Sequence, residues 1–147
     1  MTNDQPTADT IDMGWALNNL VRSQPGIINA VLFTSDGLLL AHSDGLGRDE
    51  AEKAAAALSG VNSLQKELRP FCGRSKDEVL PVRHVVGDLK EVTVLSFTAG
   101  PRTGVGVSVE GESMGPNAGL AITEAMVMIR KLKPVLDAQE RDRVRTA

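Results

Sequence analysis

Several groups of side chains in this chain are chemically capable. Cys72 stands beside Gly73, Arg74 and Lys76. Neighbouring cations lower a thiol pKa and favour the nucleophilic thiolate. A cysteine nucleophile also needs a positioned base, and nothing in the spacing supplies one. Asp36, Asp44, Asp49 and Glu50 gather along one short stretch, and paired carboxylates can exchange protons with a substrate. His42 and His84 are the only histidines. With a single cysteine they match no zinc-ligand spacing. Residues 100–108, GPRTGVGVS, are glycine-rich, as a phosphate cradle would be. They lack the Gly-Lys-Ser/Thr ending and lead into a strand pattern rather than a helix. Ser35 and Ser43 lack the Gly-x-Ser-x-Gly elbow of a serine nucleophile.

Each group has a plainer duty. Asp36 precedes Gly37 in a turn, and Asp49 and Glu50 favour the start of a helix. The histidines lie in strand patterns, and Met114, Met126 and Met128 suit a core that needs adaptable filler. We assign no catalytic, cofactor-binding or metal-binding residue, and read the chain as an interaction protein rather than an enzyme.

Composition narrows the class further. A length of 147 residues suits one domain. Hydrophobic residues at 41% and charged residues at 24% fit a globular protein. A net charge of −3 argues against a general nucleic-acid binder. One cysteine excludes an internal disulfide and suits a reducing compartment. The first ten residues, MTNDQPTADT, have neither a basic start nor an apolar stretch, so a secretory signal is not expected. No apolar run approaches the ~20 residues of a membrane span. A cytoplasmic protein is expected, reaching a membrane only through partners.

The elements that position these groups follow from periodicity. Residues 1–8 are polar and expected to be disordered. Asp9 or Thr10 can cap a first helix with Asp12 in its first turn. Met13, Leu17, Leu20 and Val21 recur at helical spacing, and Pro25-Gly26 ends that helix. Ile27 to Thr34 and Leu38 to Ser43 read as a hairpin. A two-residue type I′ turn at Asp36-Gly37 would set Phe33 opposite Leu40 and Leu32 opposite Ala41. Val31, Phe33, Leu38 and Leu40 then share one face, with His42, and Ala30, Leu32, Leu39 and Ala41 the other. Both faces are apolar, so both must be covered.

A second helix is predicted from Arg48 to Leu68. Its stretch AAAALSGVNSLQ, residues 54–65, holds no charge, which suggests packing on two sides. Residues 69–78 read as a loop. Leu80 to Val86 reads as a third strand, placed at an edge by Pro81. Glu91 to Phe97 and Gly104 to Val109 complete a meander. A last helix is predicted from Asn117 to Leu136, with Pro134 kinking or ending it. One domain over residues 9–136 results, followed by a flexible charged tail over 137–147. The fold class is α+β, in the order α-β-β-α-β-β-β-α, with helices on both faces of a five-stranded antiparallel sheet.

Residues 15–68 resemble the first half of a bacterial Roadblock/dynein light-chain domain. The resemblance rests on Val21-Arg22 with Pro25-Gly26, the Ser35-Asp36-Gly37-Leu38 hairpin, Leu39-Leu40-Ala41, Gly45-Leu46 and the Arg48-Asp49 start of an alanine-rich helix. It is similar above all to an actinobacterial branch that accompanies a Ras-like GTPase and a sensor-kinase-like protein. The resemblance implies a roadblock/profilin-like fold without catalytic residues or cofactors. It also implies a homodimer in which second helices pack together and edge strands join. The interface residues expected are Ala54, Leu58, Val61 and Leu64 on the helix, with Val82 and His84 on the edge strand. The partner it implies is a small Ras-like GTPase whose nucleotide state or location the dimer would influence. Alternatives are a sensor-kinase scaffold without effect on GTP hydrolysis, or a small-molecule-sensing domain.

Overall fold

A computed structural model describes residues 13–146. The expected disorder of residues 1–8 and the capping by Asp9, Thr10 and Asp12 lie outside the described residues. The elements run α1 (Met13–Ser23), β1 (Ile27–Thr34), β2 (Leu39–His42), α2 (Arg48–Leu64), β3 (His84–Asp88), β4 (Val92–Gly100), β5 (Thr103–Glu110) and α3 (Pro116–Thr146). The strands form one sheet in the order β2-β1-β5-β4-β3, with every neighbouring pair antiparallel.

The two sheet faces are covered unequally. On one face α1 and α3 bury Leu17, Leu20, Ala121 and Ala125 against Leu32, Leu95, Phe97, Val105 and Val107. On the other, Ala51 and Ala55 of α2 close over Val31 and Phe33, with Leu39, Leu46 and Leu58 packed beside them. Small residues let α2 approach closely. Gly106 of β5 lies directly beneath Leu58, so any Cβ there would collide with it. Within GPRTGVGVS, Gly104 likewise makes room for packing, since a Cβ there would strike the Phe33 ring.

The hairpin turn differs from the expected one. Gly37 has φ of 94°, whereas Asp36 is not among the positive-φ residues. Thr34 N–H donates to Leu38 O at 2.8 Å and Gly37 N–H to Thr34 O at 2.9 Å. Ser35-Asp36-Gly37 is therefore a three-residue loop with glycine in the left-handed position, not a type I′ pair. Asp36 accepts a hydrogen bond from the Thr34 hydroxyl, which fixes the turn. Leu32 does face Ala41 and Val31 faces His42, but Phe33 pairs with Leu39, not Leu40. Leu40 becomes the extra residue of a bulge. It is exposed together with Leu38, while Leu39 joins Phe33 on the α2 face.

Three boundaries also move. The regular helix α2 stops at Leu64, and two 3₁₀ turns follow at Gln65–Leu68 and Pro70–Cys72. The strand pattern at Leu80 to Val86 becomes a strand only at His84, because Pro81 cannot donate to a ladder. The last helix continues through Pro134 to Thr146 instead of ending near Leu136. Leu136, beyond the proline, is buried in the main core.

Candidate interaction surface

The α2 side of the sheet is only half covered. Helix α2 lies over β1, β2 and β5. Toward β4 its hold narrows to Asn62, whose Oδ1 accepts from Ser96 Oγ at 3.0 Å. Val94 of β4 is left half-buried and lines an open groove of about 290 Å³ with Ala54, Ala57, Leu58 and Gly106. A second groove, of about 230 Å³, separates the 3₁₀ turns from the chain entering β3.

The outward side of α2 carries a stripe at 57, 61 and 64, the i, i+4, i+7 spacing of one helix face, and Leu68 follows in the first 3₁₀ turn. Ala57 is exposed, Val61 is 39% exposed, Leu64 65% and Leu68 45%. No charged residue interrupts 54–65. The flanks are ordinary solvated helix, with exposed pairs Arg48–Glu52 at 3.1 Å and Lys53–Glu50 at 3.4 Å. Phe71, Val79 and Leu80 extend the exposed apolar surface beyond α2.

The six residues singled out from sequence divide into two kinds. Val61 and Leu64 point into solvent on the stripe. Ala54 and Leu58 are half-buried and turn toward their own sheet. Val82 is half-buried ahead of β3, where its carbonyl accepts from the Thr98 hydroxyl. His84 opens β3, is exposed, and stacks on Phe97 with ring centroids 5.6 Å apart. Sequence reasoning missed Ala57 and Leu68 on the stripe, though their spacing could have found them. It also missed Val94, whose exposure depends on how far α2 reaches across the sheet, and Val86, which lies on the opposite face beside the free edge.

The two sheet edges differ. At the β2 edge the strand is four residues long and the pairing is bulged. Both features discourage further strand addition. At the other edge β3 pairs with β4 without a register shift and carries no lysine or proline within the strand. Cys72, considered as a nucleophile, is exposed in a 3₁₀ turn. Among the described residues no group of three His, Cys, Asp or Glu could hold a metal. Among those residues, too, no helix is long and apolar enough to cross a membrane.

On the helical face, a groove of about 310 Å³ runs between α1 and α3, lined by Trp15, Leu20, Val127, Met128 and Leu132. Trp15 is 66% exposed at its rim.

A sheet between one helix and two, with an apolar helix stripe beside a bare edge, defines a small interaction module. The sequence profile of the Roadblock/LC7 domain matches residues 13–96, more than half of the chain. The chain belongs to the Roadblock/LC7 family. No curated protein matches the sequence. Among solved structures, a Roadblock/LC7 domain from Streptomyces avermitilis is 28% identical, with a TM-score of 0.74 over 86% of this chain and 98% of that one. MglB from Myxococcus xanthus is 12% identical, with a TM-score of 0.68 over 86% of this chain and 95% of that one. Profilin IB from Acanthamoeba castellanii shares the fold at 18% identity, with a TM-score of 0.56 over 84% of this chain and 98% of that one.

Proposed function

We propose that this chain is a non-catalytic homodimer that binds a small Ras-like GTPase and influences its nucleotide state or location. The observation that carries this reading is the apolar α2 stripe beside a bare, regular β3 edge, on a chain of the Roadblock/LC7 family. A solved MglB with a tetrameric arrangement shares the fold at 14% identity. In the dimer the stripe of Ala57, Val61, Leu64 and Leu68 would meet its copy, and the β3 edges would join. Such an interface should bury about 1,200 Å² or more in total. The GTPase would dock on a surface that exists only in the pair.

The test has two parts. Light scattering should give twice the chain mass, and a single-chain mass at micromolar concentration would remove the dimer. GTP hydrolysis by a small GTPase recovered with the protein from cell extract should then be measured with and without it. A changed rate supports the regulator. An unchanged rate with retained binding favours the sensor-kinase scaffold.

A further inference from the structure

The β3 edge carries information on how a second copy would pair. Arg83 O accepts from Thr98 N–H at 3.0 Å, and Leu89 N–H donates to Val92 O at 2.9 Å. Odd-numbered residues along this strand therefore bond inward to β4. In an antiparallel ladder the alternate residues point their backbone groups the other way. His84, Val86 and Asp88 thus present N–H and C=O groups to the free edge. A two-fold axis relating two such strands must set one residue opposite itself. Of the five residues of β3, His84 or Asp88 at the centre would pair only one outward residue within the strand, which leaves three centres to compare.

Centring on Val85 would set His84 against Val86 and leave Asp88 beyond the partner strand. Centring on Gly87 would set Val86 against Asp88. Centring on Val86 uses all three outward residues. It sets Val86, 43% exposed, against its own copy. It sets the bulk of Val85 against the space at Gly87, on the α2 face. It also sets His84 opposite Asp88 of the second copy, twice, on the same face as Val86. Direct cross-strand pairs of opposite charge stabilise a sheet, while the other registers leave that charge unmatched.

Resting on the dimeric reading above, we propose that the β3 strands of two copies pair about Val86, and that reciprocal His84–Asp88 pairs make the dimer tighten as imidazole becomes protonated.

The surroundings suit this role. Within its own protomer the imidazole stacks on Phe97. The titratable or charged side chains lining the groove beside it are Arg69, Cys72 and Arg83, so it gains no anionic partner there. Asp88 Oδ2 accepts from Ser113 N–H at 3.0 Å and Ser113 Oγ–H at 2.7 Å, and its Oδ1 accepts from Lys90 N–H at 2.9 Å. These bonds hold the carboxyl below the usual carboxylate range, so it is charged wherever histidine titrates. A carboxylate oxygen accepts two hydrogen bonds, which leaves Oδ1 one position for the partner's imidazole. A carboxylate held opposite an imidazole favours its protonated form, so the pairs contribute more to the dimer at acidic pH than at alkaline pH.

Sedimentation equilibrium at pH 8.0 and pH 5.5 tests this. The dimer Kd should fall by roughly three- to tenfold toward pH 5.5, as expected for two exposed pairs. His84→Gln should abolish that dependence while leaving a dimer. The exchange His84→Asp with Asp88→His should restore it. In a Cys72→Ser background, Val86→Cys should oxidise to a covalent dimer, since residues bonded across the axis lie ~5.5 Å apart between Cα atoms, within disulfide reach. Val85→Cys and Gly87→Cys should each fail alone and succeed when mixed. A dimer whose Kd ignores pH, or one that cross-links through Val85→Cys alone, overturns the register and leaves the dimer standing. A monomer at both pH values overturns the dimer itself.

Discussion

Single residues here do local work that types alone only partly reveal. Asp36 reads from sequence as a turn residue, and the bond it accepts from the Thr34 hydroxyl places it in that role. Gly37 is the residue that cannot be replaced cheaply. Its φ of 94° disfavours any side chain, and a Cβ would come within 3.1 Å of Ser59 Oγ on α2. Gly37→Ala should cost about 1–2 kcal/mol, read as a lower urea midpoint at unchanged slope. Asp88 contributes with a definite sign. Ser113 and Lys90 bond its charged form and lower its pKa in the fold. Its stabilisation is present above the unfolded value of about 3.9. It is lost as pH falls through the lower folded value. Asp88→Asn should therefore flatten the acid limb of stability, measured as urea midpoints at pH 6, 4 and 3.

At the scale of elements, most of the sequence reading survives, and its failures have physical causes. Helix α1 and strand β1 were legible because Leu17 and Leu20 recur at helical spacing and Ala30 through Phe33 form a short unbroken apolar run. The hairpin register was not, because a three-residue loop and a bulge at Leu40 change which β2 residues face Phe33. Asp-Gly serves either turn, so the dipeptide does not decide between them. Pro134 misled in another way. It removes one helix hydrogen bond, yet Leu136 and Val135 pack into or against the α1–α3 core and hold the helix beyond it. Tertiary burial outweighs a local break. Pro134→Ala should accordingly raise stability by about 1–3 kcal/mol, seen as a higher thermal midpoint together with greater helical circular dichroism.

At the scale of the whole molecule, the question is which surface is left unfinished. The absence of charge over 54–65 pointed to α2. It could not separate the residues α2 needs for its own sheet from those it leaves outside, since both are small and apolar. Leu58 lies over Gly106 and belongs to the fold, while Leu64 lies in solvent. The two should respond differently to a carboxylate. Leu58→Asp should cost about 3 kcal/mol or more and unfold part of the chain at room temperature. Leu64→Asp should change folding stability by no more than about 0.5 kcal/mol, with loss of the dimer by light scattering. Circular dichroism on the same samples separates loss of fold from loss of assembly.

The groove between α1 and α3 has a spectroscopic consequence. Trp15 is the only tryptophan of the chain, and it stands at the rim of that groove, on the sheet face opposite α2. Its emission should sit at the red, water-exposed end, and would stay there if copies associate through α2 and β3 as proposed. A blue shift on adding another protein would mark contact on the helical layer. The fold thus carries a built-in fluorophore expected to be silent to any association through α2 and β3 and to report contact on its other side.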